Sequence, residues 1–329
     1  MAQKKKKKKS RGHVAIPFLL TLLIGIVGLG GIAMYVFTHL SINQETTVEW
    51  NSTVKKPTAA DNMTILFILH EERDPKPLTF MIARLLPADK HVMFISFPAN
   101  MLAVVDGRSD TLEGFFNGGG VASVKAAIEN EAHIKTDRYA ILGSDGFQKI
   151  CNIFGGVYYR VPNGIKGFED TLAPQYLGPH QMEKLVTYPF FDQGESQRSA
   201  TAADMMTEMI NVTDSDRDRL LASMDNNFKM LVNLMETDIT AQDYNDHKSA
   251  LRYMYTYGKN IGMFRLVTGE PGESDVYLLS GDFYRSVQEY FAEDAQPSPS
   301  EGDSEDASAE DSAQASDAVP ETETEAGAE

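Results

Sequence analysis

The longest uninterrupted apolar stretch of the chain lies close to its N-terminus. Residues 14–40 contain no Asp, Glu, Lys or Arg. At a helical rise of about 1.5 Å per residue, this stretch is longer than the hydrocarbon core of a bilayer, which is about 30 Å thick. It therefore predicts one transmembrane helix. A cleavable signal peptide is the alternative, but it needs a small-x-small site after about 7 to 15 apolar residues, and residues 34–39 contain none.

Beyond a polar stretch over residues 41–61, short apolar runs alternate with turns and with segments of helical spacing. Runs typical of buried strands are residues 64–70, 79–86, 91–97, 139–142, 157–161, 263–267 and 276–279. Helical spacing covers residues 121–130, 144–154, 200–210, 219–236, 241–257 and 282–291. We expect Ser144 to be the N-cap of its helix and Gly155 to end it. The pattern predicts an α/β fold, a single three-layer α/β/α domain with a mixed central sheet, preceded by one transmembrane helix.

The distribution of basic residues gives this chain an orientation in the membrane. Residues 4–9 are six consecutive lysines, Arg11 follows, and no Lys or Arg occurs after the apolar stretch until Lys55. The positive-inside rule then places residues 1–13 in the cytoplasm. We expect a single-pass cell-membrane protein with a spacer over residues 41–61 and an extracytoplasmic domain over residues 62–292.

The chain carries a formal net charge of −17, and its two ends differ most strongly. Residues 293–329 hold 13 acidic residues and no basic ones, which predicts a disordered acidic tail. Without this tail and the seven N-terminal cations, 34 acidic residues face 23 basic ones, a net charge of −11. A nucleic-acid partner is therefore not expected, because binding nucleic acid needs a basic surface.

Cysteine and histidine give no sign of a disulfide or a zinc site. Cys151 is the only cysteine, which excludes an internal disulfide and leaves stability to a hydrophobic core. The seven histidines show no paired spacing of the kind that binds zinc.

One segment has a specific order of strand, cap, helix and stop. Residues 139–157 read YAILGSDGFQKICNIFGGV. This segment resembles the LytR-CpsA-Psr family, which has a Tyr, an apolar strand, (Asp/Glu)-Gly-Phe, a helix and Gly-Gly-Val. FISFP at residues 94–98 and FNGG at residues 116–119 resemble further family motifs in the same order, as does the region over residues 263–291. The resemblance covers residues 64–291.

The resemblance implies a membrane-anchored enzyme, mainly of Gram-positive bacteria. Such an enzyme transfers a glycopolymer from a polyprenyl-pyrophosphate carrier to the cell wall, assisted by magnesium. Arginines of the family clamp the pyrophosphate through bidentate hydrogen bonds, and acidic groups hold the metal or activate the acceptor hydroxyl. The expected partners are therefore a polyprenyl-phosphate-linked glycan or carrier lipid, the membrane and the cell wall, with Mg²⁺ as the cofactor if the protein is active.

Several chemical positions of the family pattern are changed in this chain. Leu78 stands where the family has the Asp of Arg-x-Asp-Thr, and Ala99-Asn100 stands where it has Arg-Asp. In the later arginine-rich segment, Arg198 alone falls on a family arginine, and Glu195 brings negative charge toward the expected phosphate site. Each lost charge-assisted contact costs about 1.5 to 3 kcal/mol, which predicts severely weakened catalysis.

Three cations remain as candidate phosphate contacts, namely Arg73, Lys76 and Arg198. The alternative for each is a solvated surface cation. Relocated metal ligands are a further possibility, and the candidates are Asp74, Asp106 and Asp192.

The helical half is rich in methionine, at positions 205, 206, 209, 224, 230 and 235. These side chains fill a core or line a groove for a polyprenyl chain. The leading hypothesis is a catalytically degenerate family member that binds polyprenyl phosphate or acts as an accessory protein in glycopolymer attachment. The alternatives are an active phosphotransferase and a non-enzymatic envelope scaffold or sensor.

Overall fold

The computed structural model describes residues 55–70, 78–169 and 173–291 of the 329-residue chain. The predicted cytoplasmic segment, transmembrane helix and acidic tail, and most of the predicted spacer, lie outside these residues. The same is true of Arg73, Asp74 and Lys76. None of the helices in the described part is both long enough and apolar enough to cross a membrane.

The described residues form twelve strands and seven α-helices, with two short 3-10 turns. The strands are β1 Met63–Leu69, β2 Thr79–Leu86, β3 His91–Phe97, β4 Leu102–Val105, β5 Arg108–Thr111, β6 Arg138–Leu142, β7 Val157–Tyr159, β8 Gln175–Leu177, β9 Met235–Thr237, β10 Gly262–Phe264, β11 Gly269–Pro271 and β12 Tyr277–Leu279. The helices are α1 Leu112–Ala132, α2 Ser144–Phe154, α3 Pro179–Val186, α4 Gly194–Ile210, α5 Asp214–Leu231, α6 Ala241–Tyr257 and α7 Gly281–Phe291.

Six of the described strands form one mixed sheet in the order β10-β3-β2-β1-β6-β9. The central hairpins β1–β2 and β2–β3 are antiparallel, β6 runs parallel to β1, and β10 runs parallel to β3. The pairs β4–β5, β7–β8 and β11–β12 form separate two-stranded ladders. The expected mixed α/β domain is confirmed.

The apolar strands β1 and β2 have helices on both faces. Side chains at alternate positions of a strand point to opposite faces. Leu66 and Ile68 accordingly join a cluster with α1 and α7, whereas Leu69 and Met81 join a second cluster with α2, α3, α4 and α6. Burial on both faces explains why these strands lack the alternation of polar and apolar residues that is typical of a half-exposed strand.

The predicted elements agree with the structure at β2, β3 and α6 and differ at several ends. The helix predicted from residue 121 begins at Leu112, because Thr111 accepts a hydrogen bond from the backbone N–H of Gly114 at 3.0 Å and caps it. The glycines that indicated a later start lie inside α1, which kinks at Gly120 with φ 63° and ψ −157°. Burial of Leu112 and Phe115 favours the earlier turns despite the low helix propensity of glycine.

Two local predictions were wrong. Gly143, not Ser144, is the N-cap of α2, and the Ser144 hydroxyl instead donates to Glu183 Oε1 at 2.6 Å. The helix predicted to reach residue 236 ends at Leu231, because β9 begins at Met235 and pairs with β6. In both places a tertiary contact involves a residue for which the local pattern predicted a different role.

Candidate functional site

An apolar cavity of about 230 Å³ lies between the central sheet and the helical layer that contains α2, α4 and α6. The side chains of β1 and β2 that face this layer form its floor, and they include Phe67, Met81 and Ala83. Its walls are apolar apart from Thr79 and Tyr255. The phenol of Tyr255 is uncharged at neutral pH, and burial raises its pKa further. The cavity therefore suits a hydrocarbon ligand.

A second cavity, of about 280 Å³, adjoins the first along the same face of the sheet. The two share six lining residues, Ile65, Phe67, Leu85, Ile150, Phe154 and Leu251. The second cavity extends toward α5 and β9, where Phe228 and Met235 contribute to its wall, and toward the first turns of α6, where Asp243 and His247 do. Together they give an elongated apolar space, which is the shape expected of a site for a long chain.

Thr79, at the start of β2, connects the first cavity to a buried arginine. The hydroxyl of Thr79 accepts a hydrogen bond from Arg198 Nη1 at 2.8 Å. Arg198 lies in the first turns of α4, and its side chain is only 1% exposed. Its guanidinium also donates to the backbone carbonyls of Val186 at 2.7 Å and of Leu78 at 2.5 Å. Arg198 thereby ties α4 to the end of α3 and to the start of β2.

Glu195 takes the remaining donors of Arg198. Nε of Arg198 donates to Glu195 Oε1 at 3.0 Å, and Nη2 donates to Glu195 Oε2. All five N–H groups of the guanidinium therefore have acceptors within the protein. A buried charge needs such pairing, because an isolated charge in a low-dielectric interior is strongly unfavourable.

One of the three predicted phosphate contacts, Arg198, lies within the described residues. Arg198 lies in the first turns of α4. Arg73 and Lys76 fall between β1 and β2 in the sequence and lie outside the described ranges. Leu78 and Thr79, which follow that segment in the sequence, both accept hydrogen bonds from the Arg198 guanidinium. A phosphate-binding role stays a prediction for all three cations.

The residues at the changed family positions do not fit a magnesium site. Leu78 is 5% exposed and Ala99 is 4% exposed, and neither side chain can ligate a metal. Asn100 donates through Nδ2 to the carbonyl of Asp275 at 2.6 Å, and its Oδ1 is buried and accepts no hydrogen bond. One neutral amide oxygen is far from the six oxygen ligands that Mg²⁺ requires.

Relocated acidic ligands are not brought together either. Asp106 lies in the turn between β4 and β5, Asp192 precedes α4, and both are exposed, while Asp74 is outside the described ranges. Across those ranges no three His, Cys, Asp or Glu side chains converge closely enough to hold a metal ion.

Four of the six methionines divide between the two roles that the sequence left open, whereas Met224 and Met230 are half-buried and line neither cavity. Met205 is fully buried in the core, whereas Met206 and Met209 line the first cavity and Met235 lines the second. Sequence reasoning missed the wall residues of β2 and α6, such as Ala83 and Leu251. The available signal was the largely apolar character of β2, which does not show on which face a space remains.

The chain has similarity to solved structures over most of its described part. It is similar to a protein from Eubacterium siraeum DSM 15702 that was named as a transcription regulator, with a TM-score of 0.61 and 18% identity over 72% of this chain and 93% of that one. It is similar to TagV of B. subtilis, with a TM-score of 0.55 and 18% identity over 72% and 98% of the two chains. It is also similar to TagT bound to LI-WTA, with a TM-score of 0.55 and 14% identity over 71% and 90%. At these identities the likeness shows the fold alone.

The sequence also matches a family model over most of its length. No curated protein resembles the chain closely enough to count as a match. The model of the LytR_cpsA_psr family matches residues 34–268, well over half of the chain, and thereby confirms the resemblance found in the sequence. The region over residues 269–291, which also resembles the family, lies beyond the matched range. The chain belongs to the LytR-CpsA-Psr family.

Proposed function

We propose that this protein is a membrane-anchored, extracytoplasmic member of its family that binds a polyprenyl-phosphate carrier lipid and is impaired in glycopolymer transfer. The observation that carries the proposal is the elongated apolar space over β1 and β2, whose Thr79 end lies beside Arg198. Binding sites for small molecules are mostly apolar, with a few polar groups that fix the orientation of the ligand. A polyprenyl phosphate, which has a long apolar chain and a charged head group, suits such a site.

The polar groups at the two ends of the space support a defined orientation of the lipid. Thr79 lies beside the cation Arg198, whereas the far end of the second cavity has the Asp243 carboxylate, which repels a phosphate, so a negatively charged head group is favoured at the Thr79 end. Thr79 begins β2 directly after the segment with Arg73 and Lys76, which places these cations next to that end in sequence. We therefore propose that the phosphate lies near Thr79 and that the prenyl chain extends along the sheet toward α5 and β9.

Impaired transfer is proposed from the chemistry of the changed positions. Transfer from a pyrophosphate requires cations or a metal to stabilise the charge on the leaving group. Leu78 and Ala99 provide neither, and the guanidinium of Arg198 is already bound to Glu195. TagT, a structural relative, has been solved bound to LI-WTA, which supports a wall-glycopolymer context for the carrier lipid.

The test begins with the lipid that the protein carries. The full-length chain is purified in a mild detergent, its bound lipids are extracted, and the extract is analysed by mass spectrometry. We expect a polyprenyl phosphate or a polyprenyl-linked glycan at close to one per protein. Recovery of bulk phospholipid alone, in the proportions of the membrane, contradicts lipid binding in the cavity.

A transfer assay separates impaired from active forms. The same preparation is incubated with a labelled polyprenyl-pyrophosphate-linked glycan, a cell-wall acceptor and Mg²⁺. We expect binding of the donor without transfer of the label. Label transfer at a rate comparable to that of an active family member supports the second candidate, a working phosphotransferase, which family membership itself favours.

A further inference from the structure

The Glu195–Arg198 pair adjoins Thr79, near which the proposed lipid would present its phosphate. The two residues are three apart in the first turns of α4 and form a bidentate pair. In this pair the Nε and Nη2 edge of the guanidinium faces a carboxylate. The same edge binds a phosphate equally well, because carboxylate and phosphate oxygens match the spacing of its two N–H groups.

Burial differs sharply between the two partners. The Arg198 side chain is 1% exposed, whereas the Glu195 side chain is 25% exposed. The other N–H groups of Arg198 point inward, to Thr79 and to the carbonyls of Leu78 and Val186. Glu195 is thus the more accessible partner, and its removal frees one edge of an arginine that three other contacts still hold in place.

We infer that Glu195 is a specificity-determining residue that acts as a built-in anion, satisfying Arg198 and excluding a ligand phosphate from it. The inference rests on the proposed function, since the phosphate in question belongs to the lipid of the apolar cavity. A second negative group at this position meets the charge of Glu195 and finds no free donor on the guanidinium. Head-group charge therefore contributes little through Arg198 in the natural protein.

A structural role alone makes a different prediction. An acidic residue in the first turn of a helix is favoured by the helix dipole, and an i, i+3 ion pair with arginine is common. If that were the whole role of Glu195, its loss would lower stability without changing the preference for one head group over another. Head-group selectivity is therefore the discriminating measurement.

The experiment compares three probes on the full-length chain: geranylgeraniol, its monophosphate and its diphosphate, each in competition with a fluorescent prenyl alcohol. In Glu195→Ala we expect the preference for diphosphate over alcohol to rise at least tenfold relative to the natural chain, about the contribution of one charge-assisted hydrogen bond. Glu195→Gln keeps the size and one acceptor, so we expect a smaller rise. If Glu195→Ala does not fold, Glu195→Gln provides the test in its place.

Two controls assign the effect to this pair. Asp216→Ala makes the same change in net charge at another i, i+3 pair, with Arg219 on α5, and should leave the preference as in the natural chain. The double variant Glu195→Ala/Arg198→Met should lose the gain, because the freed guanidinium is then absent.

The outcomes separate the inference from the function it rests on. If the prenyl probes bind but the preference of Glu195→Ala equals that of the natural chain, the inference fails and lipid binding stands. The same conclusion follows if the double variant keeps the gain. If none of the probes binds to the natural chain, both the proposed function and the inference fail.

Discussion

Filling the apolar cavity from the sheet side tests whether the space between β2 and the helices binds the prenyl chain. Ala83 lies on β2, is 3% exposed and lines the first cavity of about 230 Å³. The substitution Ala83→Leu adds three carbon atoms that point toward that space. We expect the larger side chain to pack there without moving the backbone.

The expected magnitudes follow from the added hydrocarbon. Burial contributes about 0.8 kcal/mol per carbon, so the three carbons stabilise the folded state by about 2 kcal/mol if they fit without strain. For a domain of this size the same free energy raises the Tm by about 4 to 8 °C. The three added carbons also displace about three carbons of a bound prenyl chain, which weakens prenyl binding by about thirtyfold.

Ala127→Leu provides the matched control for this substitution. Ala127 is fully buried on α1, on the opposite face of the sheet, and lines neither of the two cavities. The same three carbons there overpack a filled core, which costs about 1 to 3 kcal/mol. We expect a lower Tm and unchanged prenyl binding in the folded protein.

The assays are thermal unfolding and competition by geranylgeraniol, both on the full-length chain. The reasoning is refuted if Ala83→Leu lowers the Tm as far as Ala127→Leu does and binds the prenyl alcohol as tightly as the natural chain. That result means that no usable space adjoins Ala83 and that the ligand, if there is one, binds elsewhere.

Three further predictions concern single groups. Arg198→Met leaves Glu195 and the Leu78 carbonyl without their hydrogen-bond donor, so the free energy of unfolding in urea should fall by about 3 kcal/mol. Glu195→Ala in the same chain should restore part of that loss, and an unchanged urea midpoint in Arg198→Met rules out a structural role for the pair. Arg138 holds the pKa of Asp243 well below its usual range through a bidentate hydrogen bond. The ion pair therefore stabilises the folded state fully above about pH 4, and this contribution is lost as the pH falls through the lowered pKa. Asp243→Asn should therefore lower the Tm at pH 7 and leave a smaller difference at pH 3, and an equal difference at both pH values argues against the ion pair. Burial raises the pKa of the Cys151 thiol to about 12. We therefore expect this thiol to resist alkylation by iodoacetamide in the native protein at pH 7 and to react once the protein is unfolded in urea. Rapid alkylation of Cys151 in the native protein contradicts its burial.

The elements that could be predicted are those whose pattern is local. The strands β2 and β3 and the helix α6 have the predicted bounds, because each combines an apolar run or helical spacing with clear turn residues at its ends. The family could be inferred for the same reason, since residues 139–157 carry a strand, a helix and a glycine stop at fixed offsets. The misplaced end at Leu231 and the wrong cap at Ser144 arise where partners distant in sequence compete with the local pattern.

The candidate site likewise has features that the sequence determines and features that depend on contacts between distant residues. The sequence by itself determined that Leu78 and Ala99 can neither ligate a metal nor carry charge and that Glu195 is acidic, because these properties follow from the identity of the side chain. The tertiary structure alone decided that Glu195 pairs with a buried Arg198 and that a space remains over Ala83. Both depend on how closely separate elements approach one another, and a volume or a pairing between distant residues leaves no periodic trace along the chain.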